Sequence, residues 1–278
     1  MKLEKIWAVY FSGTGTTQRT VERIAGGIAS RLNLPAESVD FSRPAVRQET
    51  LRFGEKDLVV FGTPVYAGRV PNVLLPFLRE RIVGGGALAV PVVLFGNRNY
   101  DDALIELRNI LAADGMHPIA AGAFVGEHSF SWVLGADRPN AEDEALMDEF
   151  AARVAELAAG LDAAPVKSVA VRGQEPLRPY YTPRDRAGNP INILKVKPKT
   201  DLSRCGGCGL CADLCPMGSI DPADVSAVRG ICIKCCACVK GCPTGAKFFD
   251  DAGYLYHQHE LEAQYARPAE NEVFYIQL

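Results

Sequence analysis

The chain has 278 residues, 48% of them hydrophobic and 23% charged, with a formal net charge of −3. That length suggests about two domains and leaves material for a large core. The near-neutral balance gives no electrostatic ground for nucleic-acid binding or a polybasic membrane contact, and no apolar run reaches the roughly 18 residues that a bilayer span needs.

The N-terminal "MKLEKIWAVYFSG" combines two lysines with an apolar run. It lacks a small-residue cleavage site and leads into a glycine-rich turn, which predicts a first strand and a cytoplasmic protein. Short apolar runs then recur at 6–11, 57–62, 90–96 and 119–126, with a weaker one at 37–41. They are rich in Val, Ile and Phe and end at or near glycine, the pattern of parallel strands buried on both faces. Helical patterns fill the gaps at 16–32, 72–81, 102–113 and 142–161. In the last, Leu146, Phe150, Val154 and Leu157 make one apolar stripe. Strand and helix in alternation predict an α/β fold, a doubly wound five-stranded parallel sheet with right-handed crossovers.

Composition changes after Leu161. The segment 162–199 is rich in proline and basic residues and has no sustained period, so it reads as a linker between a 1–161 domain and a 200–278 domain with a C-terminal tail.

All nine cysteines lie between 205 and 242. An odd, clustered set in a cytoplasmic chain points to metal and not to disulfides. Eight of them form two copies of C-x2-C-x2-C-x3-C-P, offset by 27 residues: Cys205, Cys208, Cys211 and Cys215, then Cys232, Cys235, Cys238 and Cys242. This is the spacing of bacterial ferredoxins, in which the fourth cysteine of each run ligates the other run's cluster. It predicts two [4Fe–4S] clusters in a small α+β ferredoxin-like domain, one on Cys205, Cys208, Cys211 and Cys242, the other on Cys232, Cys235, Cys238 and Cys215. Two structural zinc sites are the alternative. The ninth cysteine, Cys236, fits no position in the pattern; it reads as a small inert thiol or, alternatively, a replacement ligand.

At the other end, "FSGTGTTQRT" follows the first strand and opens a helix, the context of an anion site. It has neither the GK[ST] ending of a P-loop nor the third glycine of a dinucleotide fingerprint. Its hydroxyls suit a phosphate monoester. Two further loops, 62–72 and 96–102, fall at the C-terminal ends of strands, where open α/β sheets bind ligands.

Over residues 4 to 160 the chain resembles the flavodoxins. The resemblance implies FMN, its phosphate held by Ser12, Thr14, Gly15, Thr16 and Thr17. The ring would lie between Pro64, Val65, Tyr66, Ala67 and Gly68 on one side and Gly96, Asn97, Asn99 and Tyr100 on the other. Tyr66 and Tyr100 are the candidate stacking aromatics, with plain packing as the alternative for each. The resemblance also makes Gly68 the peptide that turns its carbonyl toward the ring, Asn97 and Asn99 partners of the pyrimidine edge, and Arg69 a candidate counter-charge or a solvated arginine. His128 and Trp132 lie on the same rim and are assigned no role.

Together the two halves resemble the flavodoxin–ferredoxin fusion proteins. The implied function is an electron-transfer iron–sulfur flavoprotein serving a low-potential redox protein partner, either as monomer or homodimer. The alternative is an FMN-dependent reductase acting on a small organic acceptor such as a quinone.

Overall fold

The computed structural model describes residues 2–277. Strand β1 (Lys5–Tyr10) pairs in parallel with β2 (Ala36–Asp40) and with β3 (Asp57–Pro64). β3 continues into β4 (Leu88–Phe95), and β4 into β5 (Ala120–Val125), again in parallel. The order β2-β1-β3-β4-β5 is that of a doubly wound, flavodoxin-like sheet.

The central strands are apolar on both faces because both faces are covered. On one, Ile6, Leu58, Val60 and Val90 pack with Ile24 and Ile28 of α1 (Thr16–Leu32) and Phe150 and Val154 of α4 (Ala141–Gly160). On the other, Val59, Phe61 and Val93 pack with Leu78 of α2 (Leu75–Glu80) and Leu104, Leu107 and Leu111 of α3 (Ala103–Ala113). Helix α4 starts on a reciprocal cap: the Asn140 side chain accepts from Glu142 N and Asp143 N, while the Asp143 carboxylate accepts from Asn140 N.

Two features extend the five-stranded expectation. His117–Pro118 adds a short parallel pairing to β4. The C-terminal tail returns to the sheet, where β6 (Glu272–Tyr275) lies antiparallel to β5 and covers an edge that would otherwise be open. The tail is fastened beyond its ladder bonds, since Asn271 donates to Asp143 at 2.6 Å and accepts from Val125 N at 2.8 Å.

The 162–199 segment carries little regular structure, yet it is not a free tether. Val169 is fully buried in the core and its N–H reaches Pro118 O at 2.8 Å. Further on, the buried Asp102 carboxylate accepts from Gln174 N at 3.0 Å, Arg178 N at 2.8 Å and the Arg178 guanidinium. Tyr181 N then bonds Ala67 O at 2.9 Å. The segment thus starts beside the entry to β5 and, through Asp102 and Ala67, passes as a strap over the loops at the C-terminal ends of β3 and β4.

The cysteine runs follow. Each places a one-turn helix, α5 (Leu210–Asp213) or α6 (Ala237–Lys240), between its second and fourth cysteines. A two-residue ribbon, Lys199–Thr200 with Lys247–Phe248, closes the module, and α7 (Ala252–Gln264) leads to the tail. Among the described residues no helix is long and apolar enough to cross a membrane.

Asp102 is the anchor of the strap, which makes its removal informative. Burial alone would raise the Asp102 carboxyl, but the bonds from Arg178 and Gln174 outweigh it and hold the group below the usual carboxylate range. Asp102→Ala should cost about 2–3 kcal/mol, because two backbone N–H groups lose a buried acceptor. The check is the urea midpoint at constant m-value. The wild-type advantage should be full above about pH 4, the ordinary carboxylate value, and fade as pH falls through the lowered folded-state value.

Candidate functional site

Two cavities meet at the C-terminal ends of β1, β3 and β4. The smaller is lined by Gly13, Thr14, Thr16 and Thr17 of the first loop, by Pro64–Tyr66 of the second, and by Glu127–Ser129. Helix α1 begins here from Gly15, and no side chain caps its N-terminus. Thr16 and Thr17 are buried in its first turn, and the buried Ser12 Oγ has no hydrogen-bond partner. Uncapped helix N–H groups and the threonines of the first turn suit a phosphate, so the residues present fit the group that the loop implies, while Ser12 and Gly15 stand behind the cavity wall and not on it.

The larger cavity, of about 720 Å³, adjoins it and shares Val65, Tyr66, Phe95, Gly96, His128 and Ser129. It reaches Ala67, Gly68 and Asn99 on the two ring loops. The second loop turns tightly at Tyr66–Arg69, whose N–H and C=O groups bond each other at 2.9 and 3.1 Å. Ala67 and Gly68 both have positive φ, 52° and 78°, as a tight hairpin turn of this kind requires. A Cβ on Gly68 would strike the Asp101 carboxylate. The Gly68 carbonyl already accepts from Asp102 N at 3.0 Å, so turning that peptide toward a ring would break this bond.

Three expected ring partners are committed elsewhere. Tyr100 is 1% exposed and absent from the cavity walls; its hydroxyl donates to Glu272 at 2.8 Å, and its ring packs on Phe95 and under Arg172. Asn97 donates to Tyr265 O and Arg267 O and accepts from Ala269 N, which makes it a clamp on the tail. Arg69 is neither a counter-charge at the ring nor a solvated arginine, since it pairs with the buried Glu106 at 2.6 Å and lies over Tyr180. Asn99 lines the cavity, with its Oδ1 accepting from Asp101 N. Of the two candidate stacking aromatics, Tyr66 is the one that lines the cavities, and it lines both.

The cysteine module packs directly on these loops. Cys235 lines the phosphate cavity and Cys232 the larger one. Gly13 permits the approach: a Cβ there would stand 3.1 Å from the Cβ of Cys235. Lys240 pins the two parts together, donating to Glu127, to His128 O at 2.9 Å and to Ser131 O at 2.7 Å, with the Trp132 ring 4.8 Å away.

Within the module, one apolar cavity is lined by Cys215 of the first run together with Cys232, Cys235, Cys238 and the extra Cys236 of the second. The two fourth cysteines share a local geometry: Cys215 Sγ accepts from Ser219 N at 3.3 Å, and Cys242 Sγ from Ala246 N at 3.2 Å. Lys247 N also donates to Cys242, and the Lys247 ammonium acts on Cys211 of the first run and on Cys238 of the second. Burial pushes the Cys235 and Cys238 thiols up to about 12. At Cys242 hydrogen bonds, led by that of Thr244, outweigh burial and bring the thiol down to about 7. Among the described residues, no three His, Cys, Asp or Glu side chains converge closely enough to hold a single metal ion. Cys236 is buried with Sγ 3.4 Å from the Tyr254 hydroxyl and 3.6 Å from Lys234 O.

Sequence reasoning missed the strap (Tyr180–Leu194) and His257 of α7, which both wall the larger cavity. Tyr180 and Tyr181 were the only signal, two aromatics in an otherwise polar linker.

If Tyr100 packs and does not stack on a ring, Tyr100→Phe should cost only about 1 kcal/mol, the worth of one partly buried hydrogen bond. Thermal melts would read that loss, and the flavin content of the purified protein should equal that of wild type.

A family model described as a Flavodoxin domain matches residues 8–97, and one described as a 4Fe-4S binding domain matches residues 198–221. No curated protein matches the chain. Among solved structures, a flavodoxin from the domain Archaea is 17% identical with a TM-score of 0.41, covering 55% of this chain and 97% of its own. The rubredoxin oxygen:oxidoreductase of Desulfovibrio gigas is 14% identical with a TM-score of 0.35, covering 58% of this chain and 38% of its own. An apo NADH:FMN oxidoreductase is 17% identical with a TM-score of 0.39, over 56% of this chain and 89% of its own. The chain thus carries a flavodoxin domain toward its N-terminus and a 4Fe-4S binding domain toward its C-terminus.

Proposed function

We propose that the protein is an electron-transfer flavo-iron–sulfur protein that holds one FMN and two [4Fe–4S] clusters and serves a redox protein partner. FMN exchanges one or two electrons and each cluster one, so the pair divides two-electron chemistry into single steps. The observation that carries this reading is the seam at Gly13, where Cys235 meets the loop that would hold the FMN phosphate.

On this reading Ser12, Thr14, Gly15, Thr16 and Thr17 bind the phosphate through hydroxyls and backbone N–H groups. Val65 to Gly68, Gly96 and Asn99 border the ring, with Tyr66 against it. Cys232, Cys235, Cys238 and Cys215 hold the cluster nearer the flavin, supported by the one cavity that these four share. Cys205, Cys208, Cys211 and Cys242 hold the other. Cys208 is exposed, and a Cβ on Gly206, Gly207 or Gly209 would meet nothing within 4 Å. The redox partner would therefore be met at the first run, and the buried second run would relay inward.

A second reading, a reductase that acts on a small organic acceptor, is favoured by a different observation. The ring loops border a half-open cavity whose other walls come from the strap and α7.

Anaerobic purification with iron, sulfide and flavin analysis tests the proposal. About eight irons and about one FMN per chain are expected. Cys215→Ser and Cys238→Ser should each lose about four irons with the same spectral change, because both would remove a ligand from one cluster. Zinc in place of iron, or a different spectral signature for the two variants, would overturn the ligation. Ser12→Ala should weaken FMN binding about tenfold or more, the loss of one charge-assisted hydrogen bond. Equilibrium titration of the flavin-depleted chain reads that change.

A further inference from the structure

The larger cavity is more than a ring needs. At about 720 Å³ it lies in the upper part of the roughly 300–1,000 Å³ span of small-molecule sites. On the reading above, the phosphate goes to the neighbouring cavity, so only the ring claims space here. The two ends of the cavity differ. One is the pair of ring loops. The other is walled by the strap, by Ile231 and Ile233 of the cysteine module and by α7.

The chemistry of that far end is specific. Its surface is mainly apolar, with Ile191, Ile193 and Leu261 among its walls. The Tyr181 and His257 rings are stacked at 6.1 Å, with Phe130 edge-on to His257. No Asp or Glu lines the cavity, while His128, His257, Arg98 and Lys234 do. The polar groups there are therefore mostly hydrogen-bond donors. His128 Nδ1 accepts from Phe130 N at 3.1 Å, which puts the proton of the neutral ring on Nε2. His128 Nε2 and both His257 ring nitrogens have no hydrogen-bond partner among the described residues. Burial holds both rings neutral, pulling His128 down to about 3 and His257 to about 4, so they offer N–H groups without a full charge. Apolar flat walls with unspent neutral N–H donors suit a planar molecule whose polar atoms are carbonyl oxygens.

We propose that the strap-and-α7 end of this cavity binds a planar conjugated dicarbonyl, of the quinone class, beside the flavin ring position, with the imidazole of His257 at that end and the Nε2–H of His128, beside Gly96 at the border with the ring loops, directed at its oxygens. This rests on the FMN reading and names the acceptor for it. The quinone gains two electrons and two protons, and both C=O groups become C–O–H. A reduced one-electron protein donor supplies the electrons one at a time at the exposed first cysteine run. Water supplies the protons. His128 and His257 act as positioning residues that favour the oxygens as charge builds there.

The test uses oxidised holoprotein prepared anaerobically, with 2-methyl-1,4-naphthoquinone as the probe and equilibrium dialysis as the readout, alongside flavin and iron content. Saturable binding of about one quinone per chain is expected. Ile193→Trp, which fills the far end, should weaken it at least tenfold at unchanged flavin and iron content. His257→Leu should weaken it about three- to tenfold, and His257→Gln, which keeps an N–H donor, should restore part of the loss. Absence of saturable binding up to the solubility of the probe overturns the proposal, as does unchanged affinity in both Ile193→Trp and His257→Leu. Loss of flavin in Ile193→Trp also overturns it, because that wall would then belong to the flavin's own site. A wild-type protein that purifies with iron but no flavin defeats the FMN reading itself, whereas a flavin-loaded protein that ignores the quinone defeats only this inference.

Discussion

The architecture turns on a side chain that is missing. Gly13 has no Cβ, and the space is taken by Cys235, whose own Cβ would lie 3.1 Å from one. A Cβ there would meet Cys235 at a separation that few real Cβ contacts reach, so the cysteine module would have to give by a few tenths of an ångström. Beside this contact, Lys240, two residues beyond Cys238, reaches Glu127 and two carbonyls of the loop after β5. The long-range consequence is one continuous lining: phosphate loop, ring loops, strap and cysteines surround two adjoining cavities.

The rest of the seam is held by groups on the two loops that the sequence marks for a ligand. Asn97 uses both ends of its amide on the tail, Arg69 pairs with Glu106, and the Gly68 carbonyl is bonded to Asp102 N. Buried polar groups must be satisfied, and here the added strap and tail satisfy them. The price of enclosing the ring site in protein is a loss of adaptable groups around it. Tyr66, Asn99 and the donors on the far wall remain as the polar equipment facing the cavity.

The sheet was legible because its strands are buried on both faces, so runs such as "DLVVFG" and "VPVVLFG" carry a strong local signal. The cysteine runs were legible for another reason, since ligand spacing is set by the cluster and not by packing. The tail strand was not legible. "EVFY" is four residues at an edge, and only its distant partner β5, with Ala123 paired to Glu272, makes it a strand. The strap was opaque because its order comes from bonds to Asp102 and Ala67, not from any period of its own. The same competition explains Tyr100 and Asn97. Their positions match a ring loop, but Glu272 and the 265–269 turn, both contributed by the tail, engage them first.

The lysines around the second run bear on how the proposed clusters would work. Lys234 is 9% exposed and donates to Leu194 O and Cys232 O; Lys247 is 3% exposed and donates to Val225 O; Lys240 donates to His128 O and Ser131 O as well as Glu127. Carbonyl oxygens carry only partial charge, so for Lys234 and Lys247 they do not by themselves balance a buried ammonium. Four thiolates and a cubane carry net negative charge, and the lysines stand among the residues that would hold it. Each group then lowers the cost of burying the other. Lys234 would give the buried run a field that favours the added electron; Lys247 stands beside cysteines of both runs, and the first run, with its glycines open to solvent, would also be stabilised by water. Two sites of one ligand type would thus differ in environment, which is the condition for an electron to move in a preferred direction along the chain of centres.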